Sequence, residues 1–145
     1  MSITVAPTGH SRILSVGTYR PKRVVPNSEI VDRIDSTDEW IVQRTGIESR
    51  RFAGDDETVI SMAKAACEIA LKRAKITITD IDTVILSTIS YPFQAPSAAT
   101  ELINELGNPK AAAFDISAAC AGFCYGVAMG SDLVRSGTSK NVLVI

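Results

Sequence analysis

Long hydrophobic runs are missing from this 145-residue sequence. No stretch approaches the roughly 20 apolar residues that cross a bilayer, and the opening MSITVAPTGHSR has no continuous apolar segment behind a basic start. Neither a membrane span nor a secretory leader is predicted, and a cytoplasmic protein is expected. Cysteine is scarce as well. Three residues, Cys67, Cys120 and Cys124, with no C-x-x-C pair, are an odd and sparse set for a disulfide framework, so reduced thiols are expected. Cys120 and Cys124 lack further Cys or His companions for a tetrahedral zinc site, so no metal is expected. Histidine occurs once, as His10 in a polar N-terminal arm, a poor position for the base that a nucleophile needs. Excess charge is missing too: fifteen basic against sixteen acidic residues leave a net charge of −1. A whole-chain field that would favour nucleic acid is therefore excluded, and any anion site must be local.

What is present is a core-forming composition, 46% hydrophobic and 21% charged, in a chain of single-domain size. The run Ile13–Thr18, stopped by Pro21, predicts a first strand. Asn27 after Pro26, with Ile30, Val31 and Ile34 at helical spacing, predicts a short helix with Asn27 as its N-cap. In DSTDEWIVQRTGI, Ser36 and Glu39 stand in capping-box register and Gly46 supplies a stop, which predicts a second short helix. RRFAGDD reads as a polar loop. Beyond it, Val59, Met62, Ala63, Ala66, Ala70, Leu71 and Ala74 share one face of a packed amphipathic helix.

Thr83–Ile89 has the β-branched and aliphatic composition of a strand covered on both faces. A helix then starts near Pro96 and stops at Gly107. Ala111–Ile116 predicts another strand, CAGFCYGVAMGSDLVRSG a small-residue helix, and NVLVI a further apolar strand. This alternation argues for a mainly parallel α/β sheet with helices on its faces. NVLVI has the composition of an inner strand without a covering segment beyond it, and the chain is expected to be half of a larger unit.

The stretch AFDISAACAGFCYG carries the candidate chemistry. Cys120 follows a strand and the small residues Ser117, Ala118 and Ala119, and it precedes a helix. A thiol at a helix N-terminus meets the positive end of the dipole and unpaired N–H groups, which favour thiolate. Those N–H groups would also stabilise an oxyanion formed at a thioester carbonyl, and the small neighbours suit a sharp nucleophile turn. Cysteine is equally a common buried hydrophobe. Spacing alone leaves both readings of Cys120 open, whereas packing is the better account of Cys124 and Cys67. Trp40 and Arg44, four apart on the second short helix, present an indole beside a guanidinium, suited to stacking on adenine and to binding phosphate. An amphipathic helix with one buried tryptophan and a solvated arginine is the competing reading. Arg50 and Arg51 form a basic pair that solvent alone would account for.

DISAACAGF together with STDEWIVQRTGI resembles the β-ketoacyl-acyl-carrier-protein synthase III family of the thiolase superfamily, along residues 13–145. The resemblance implies a thiolase-like half-domain over 13–145 behind an arm over 1–12, one half of a layered αβαβα fold. It implies Cys120 as the acyl-accepting nucleophile, loaded from acyl-CoA and discharged onto the carbanion that malonyl-acyl-carrier protein forms on losing carbon dioxide. Trp40, Arg44 and Ser36 match the family's CoA-contacting positions. Ala95 matches a position where some members carry a bulky aromatic side chain that closes the acyl pocket from a partner subunit, so a primer longer than acetyl is expected. The family's catalytic histidine and asparagine have no counterparts in this sequence. The implied partners are acyl-CoA, acyl-carrier protein, the C-terminal half that carries those two groups, and a second copy in a homodimer, with no cofactor beyond the substrates. Related polyketide or alkylquinolone starter enzymes, or a non-catalytic CoA-binding half-domain, are the alternatives.

Overall fold

The computed structural model describes residues 9–145. Of the arm expected over 1–12, residues 1–8 lie outside the described residues. The chain divides into two compact units, one of residues 19–58 and one of residues 9–18 with 59–145.

In the larger unit, helix α2 (Val59–Ala74) is followed by strand β3 (Thr83–Ser87), helix α3 (Ala98–Leu106), strand β4 (Ala112–Ile116), helix α4 (Gly122–Arg135) and strand β5 (Val142–Val144). The strands form one parallel sheet in the order β4-β3-β5. The place of β3 at the centre explains the apolar run Val84–Leu86 within it. Val84 and Leu86 join the core made with Ile60, Ala63, Cys67 and Leu71 of α2 and Ala98, Ala99, Leu102 and Ile103 of α3. Ile85 and Ser87 alternate to the opposite face, against Gly126 of α4. Because successive side chains point to opposite faces, helices cover both sides of β3, and Val84, Ile85 and Leu86 are all buried. NVLVI, expected inside a sheet, forms an edge strand among the described residues.

The buried stripe of α2 is Ile60, Ala63, Cys67 and Leu71, rotated from the predicted face. The larger aliphatic side chains take the core, and the Ala66–Ala70 side receives the N-terminal segment instead. That segment corrects a second expectation. Ile13–Thr18 forms no strand; Ser15 Oγ donates to Ala70 O at 2.7 Å, and Arg73 Nη1 donates to Val16 O at 2.6 Å. A β-type composition becomes a strand only where a ladder partner is available, and here side-chain bonds to a helix take over. Ile13 and Val16 remain exposed.

In the smaller unit, strands β1 (Arg23–Pro26) and β2 (Ser49–Phe52) pair antiparallel, with two 3₁₀ turns and helix α1 (Asp38–Thr45) between them. Three expectations change. The helix predicted after Pro26 is the pair of 3₁₀ turns, and Asn27 is not a cap but a buried side chain with tertiary partners. The cap of α1 is Thr37, whose Oγ1 accepts from Trp40 N at 3.2 Å, one residue past Ser36. Gly46 closes that helix at φ +69°, a left-handed turn that glycine adopts without strain. The residues read as a polar loop, RRF, belong to β2, where the β1 ladder prevails over their polarity.

Glu57, 8% exposed, ties the start of this unit to its end. It accepts from the Tyr19 hydroxyl, from Lys22 N at 3.1 Å and from Gly54 N at 2.9 Å. The Tyr19 hydrogen bond, then that from Gly54 N, holds its carboxyl below the ordinary value. A depressed folded-state pKa means the stabilisation is complete above the unfolded value of about 4.3 and disappears as pH falls through the folded one. Acid unfolding followed by Trp40 emission should therefore include a step below about pH 4.3 that Glu57→Gln removes.

Candidate active site

Strand β4 leads into the turn that carries Cys120. Its last residue, Ile116, accepts from Thr88 N at 3.1 Å, so the turn after β4 and the loop after β3 leave neighbouring strands at the same carboxyl edge, where open α/β sheets bind their ligands. Ala119 then takes φ +45°, the left-handed region, which costs a residue with a Cβ roughly 1 kcal/mol. Strain of this kind turns the chain sharply enough to put Cys120 on a single 3₁₀ turn, Ala119–Ala121, directly ahead of α4. Cys120 is exposed, and so is Cys124 one turn along.

The start of α4 has no side-chain cap at Ala121. The 3₁₀ turn runs straight into it, with Gly122 N donating to Ala119 O, so Cys120 lies at the positive end of the helix dipole. Close glycine packing holds this helix in place. Gly122, Gly126 and Gly130 are the buried residues of α4: a Cβ on Gly126 would come within 2.9 Å of Val144 Cγ1, and one on Gly122 within 3.0 Å of Ser87 Cβ. Three glycines therefore let the helix backbone rest directly on β3 and β5. The Ser87 Oγ, facing Gly126, is buried without a hydrogen-bond partner.

The loop after β3 carries Ala95, exposed ahead of α3. Its far end is fixed by Asp115 of β4, which accepts from Ala98 N and Ala99 N at 2.8 Å each. A carboxylate on a helix N-terminus satisfies two orphan donors and complements the dipole. Sequence reading passed over Asp115; the signal was an acidic residue in an otherwise apolar strand. By contrast Cys67, 1% exposed, has its thiol pushed up to about 12 by burial, which leaves it inert at neutral pH. His10 is exposed, in the irregular segment ahead of residue 19.

The smaller unit brings Trp40 and Arg44 together. The Arg44 guanidinium lies over the indole, 5.7 Å from its centroid. Trp40 is 53% exposed and Arg44 is also exposed, so the face is open to solvent rather than packed, and the reading of Trp40 as a core residue does not hold. Ser36 sits just before the cap, its Oγ 3.5 Å from Thr37 O. A flat π surface with a cation beside it offers stacking and charge to a nucleotide.

Residues 114–145, which include the Cys120 turn, match the family model for 3-oxoacyl-[acyl-carrier-protein] synthase III. The chain is 51% identical over 139 residues to a β-ketoacyl-[acyl-carrier-protein] synthase III of Kocuria rhizophila, covering 96% of this chain and 39% of that protein. It is 52% identical over 136 residues to the corresponding enzyme 1 of Streptomyces avermitilis, covering 94% of this chain and 38% of that one. The chain thus spans about two fifths of the length of these curated relatives. Among solved structures, the priming β-ketosynthase of a polyketide biosynthetic pathway superimposes with TM-score 0.90 at 45% identity, over 99% of this chain and 43% of that one. A 3-oxoacyl-[acyl-carrier-protein] synthase III from Aquifex aeolicus does so with TM-score 0.86 at 40% identity, over 91% and 42%. The α/β sheet with helices on both faces is therefore the thiolase-like fold that the sequence predicted.

Proposed function

We infer that this chain supplies the nucleophile of a 3-oxoacyl-[acyl-carrier-protein] synthase III, the family of condensing enzymes whose N-terminal part it matches along nearly all its length. The observation that carries the reading is the turn at Cys120: an exposed thiol, behind a left-handed alanine, in front of a helix start with no side-chain cap. The Cys120 thiolate attacks the carbonyl carbon of an acyl-CoA thioester. The carbonyl π electrons move to oxygen, where N–H donors stabilise the charge, and they return as the bond to CoA sulfur breaks. CoA leaves as thiolate and takes up the proton that Cys120 gave up. In the second half-reaction malonyl-acyl-carrier protein loses carbon dioxide, and its carbanion attacks the acyl-enzyme to give 3-ketoacyl-carrier protein and free Cys120. The histidine and asparagine that assist this step in the family are supplied by the C-terminal half. Trp40 and Arg44, with Ser36, hold the nucleotide of CoA. We place the protein in the cytoplasm as a homodimer on the strength of the same resemblance.

Incubation with radiolabelled acyl-CoA tests this reading. The label should appear as a thioester on the peptide containing Cys120; label that never becomes covalent would leave only a CoA-binding domain. Ala95 bears on the choice of primer, because a methyl group leaves room where an aromatic ring would close the pocket. Ala95→Phe should lower the ratio of dodecanoyl to acetyl transfer by about tenfold or more, measured as Cys120 loading from each CoA ester; an unchanged ratio removes Ala95 from the pocket. One observation favours a second product class. The superposition on a polyketide priming synthase fits a starter condensation that feeds a polyketide chain, and assays with carrier proteins of each pathway distinguish the two.

A further inference from the structure

We propose that Asn27 is the positioning residue of the CoA-recognition face, a role that rests on the reading of Trp40 and Arg44 as that face. Helix α1, which carries both, is short and buries only Ile41. Apolar packing therefore gives it a single anchor, and its orientation must come from polar contacts. Those contacts converge on Asn27, whose side chain is 1% exposed. Asn27 Nδ2 donates to Asp38 Oδ1 at 2.6 Å and to Ile47 O at 2.7 Å. Asp38 is the first residue of α1 and Ile47 follows its closing glycine, so one amide grips both ends of the helix. The Asn27 Oδ1 accepts from Arg50 Nη2 on β2 at 2.7 Å, and Asn27 N donates to Glu48 O at 3.2 Å.

The chemistry at position 27 is specific. The residue must donate toward a carboxylate on one side and accept from a guanidinium on the other, and only a side-chain amide of this length does both. The flanking charges also fix which way the amide points. Arg50 depends on it as well, since Arg50 Nη1 is buried with no partner. Asparagine after proline was read as a helix cap; its position instead ties the Trp40–Arg44 helix to the β1–β2 ribbon.

The test uses the protein with its C-terminal half present and compares two acyl donors, acyl-CoA and the acyl thioester of N-acetylcysteamine, which has no nucleotide. Asn27→Ala should raise KM for acyl-CoA about tenfold or more, the scale expected for losing hydrogen bonds to charged groups, while loading of Cys120 from the nucleotide-free donor stays within twofold. An unchanged KM overturns the proposal, and so does an equal loss with both donors, because general destabilisation would affect both. Asn27→Asp provides the decisive second variant. It sets two carboxylates in contact, and adding Asp38→Asn returns a donor to that pair, so the double variant should recover part of the lost affinity for acyl-CoA; no recovery overturns the proposal even where Asn27→Ala does not fold. Arg44→Ala is measured alongside. If it leaves KM for acyl-CoA unchanged, the face itself is misassigned, and that outcome is distinct from any failure at Asn27.

Discussion

Cys120→Ala is expected to abolish acyl transfer, with a loss on the order of 10⁶ in turnover, as for removal of an essential nucleophile elsewhere. The helix start and its N–H groups remain in this variant, so acyl-CoA should still bind. The expected result is an unchanged dissociation constant for CoA together with no covalent label. Cys124→Ala separates the two thiols that lie one turn apart. Both are exposed, but only Cys120 precedes Gly122, the first residue of α4, where the positive end of the dipole acts. Cys124→Ala should therefore retain loading within a few-fold. Mass spectrometry of the loaded peptide checks both variants, and label that shifts to Cys124 in Cys120→Ala would contradict the assignment.

The largest structural effect is expected at Gly17. A Cβ there would lie 2.0 Å from Ala66 O and 2.6 Å from Ala70 N. Both are backbone atoms of a regular helix, so no side-chain rotation relieves the overlap. Gly17→Ala must either bend α2 or lift residues 13–18 away from it. Bending α2 disturbs Ala63, Cys67 and Leu71 of the main core, and overpacking of that kind costs about 1–3 kcal/mol or more. Lifting the segment forfeits the hydrogen bonds of Ser15 to Ala70 O and of Arg73 to Val16 O, each worth about 1 kcal/mol net. Lifting costs about 2 kcal/mol for the two bonds, within the range for bending but without its open upper end, so the segment should detach before the core distorts. The expected outcome is a fall in Tm of several degrees, with tryptic cleavage after Arg12 accelerated more than cleavage within α2. A variant with wild-type Tm and cleavage pattern would mean that residues 13–18 do not rest on the helix.

The comparison of sequence with structure divides near Val59. From there onward the alternation of strands and helices was legible, because β3 is covered on both faces and its centre, Val84, Ile85 and Leu86, is apolar, while α2 and α3 carry clear helical periodicity. Before Val59 the second short helix and its Gly46 stop were legible as α1, but three other local signals misled. Ile13–Thr18 has strand composition without a ladder, Asn27 looks like a cap yet serves three tertiary partners, and Ser36 occupies the capping register that Thr37 takes. In the first two cases side-chain bonds to distant residues decided the outcome, and neither propensity nor spacing encodes these; the third is a shift of one residue. At the candidate site, residue type and resemblance point to Cys120, Trp40 and Arg44. The left-handed turn at Ala119 left no trace, since alanine gives no warning of positive φ, and the carboxylate of Asp115 became meaningful only once it lay on the N-terminus of α3.

The glycine stripe of α4 has a mechanical meaning. A helix seated on a sheet through side chains has slack, because rotamers can change and the seat can adjust by fractions of an ångström. Gly122, Gly126 and Gly130 have no rotamers, and their backbone meets Val142, Val144 and Ser87 directly. The helix is a bare rod lying on a rail. The height of its leading end, and so of the Cys120 sulfur just ahead of it, is set by the sheet itself, which makes β3 and β5 the gauge of that sulfur's position.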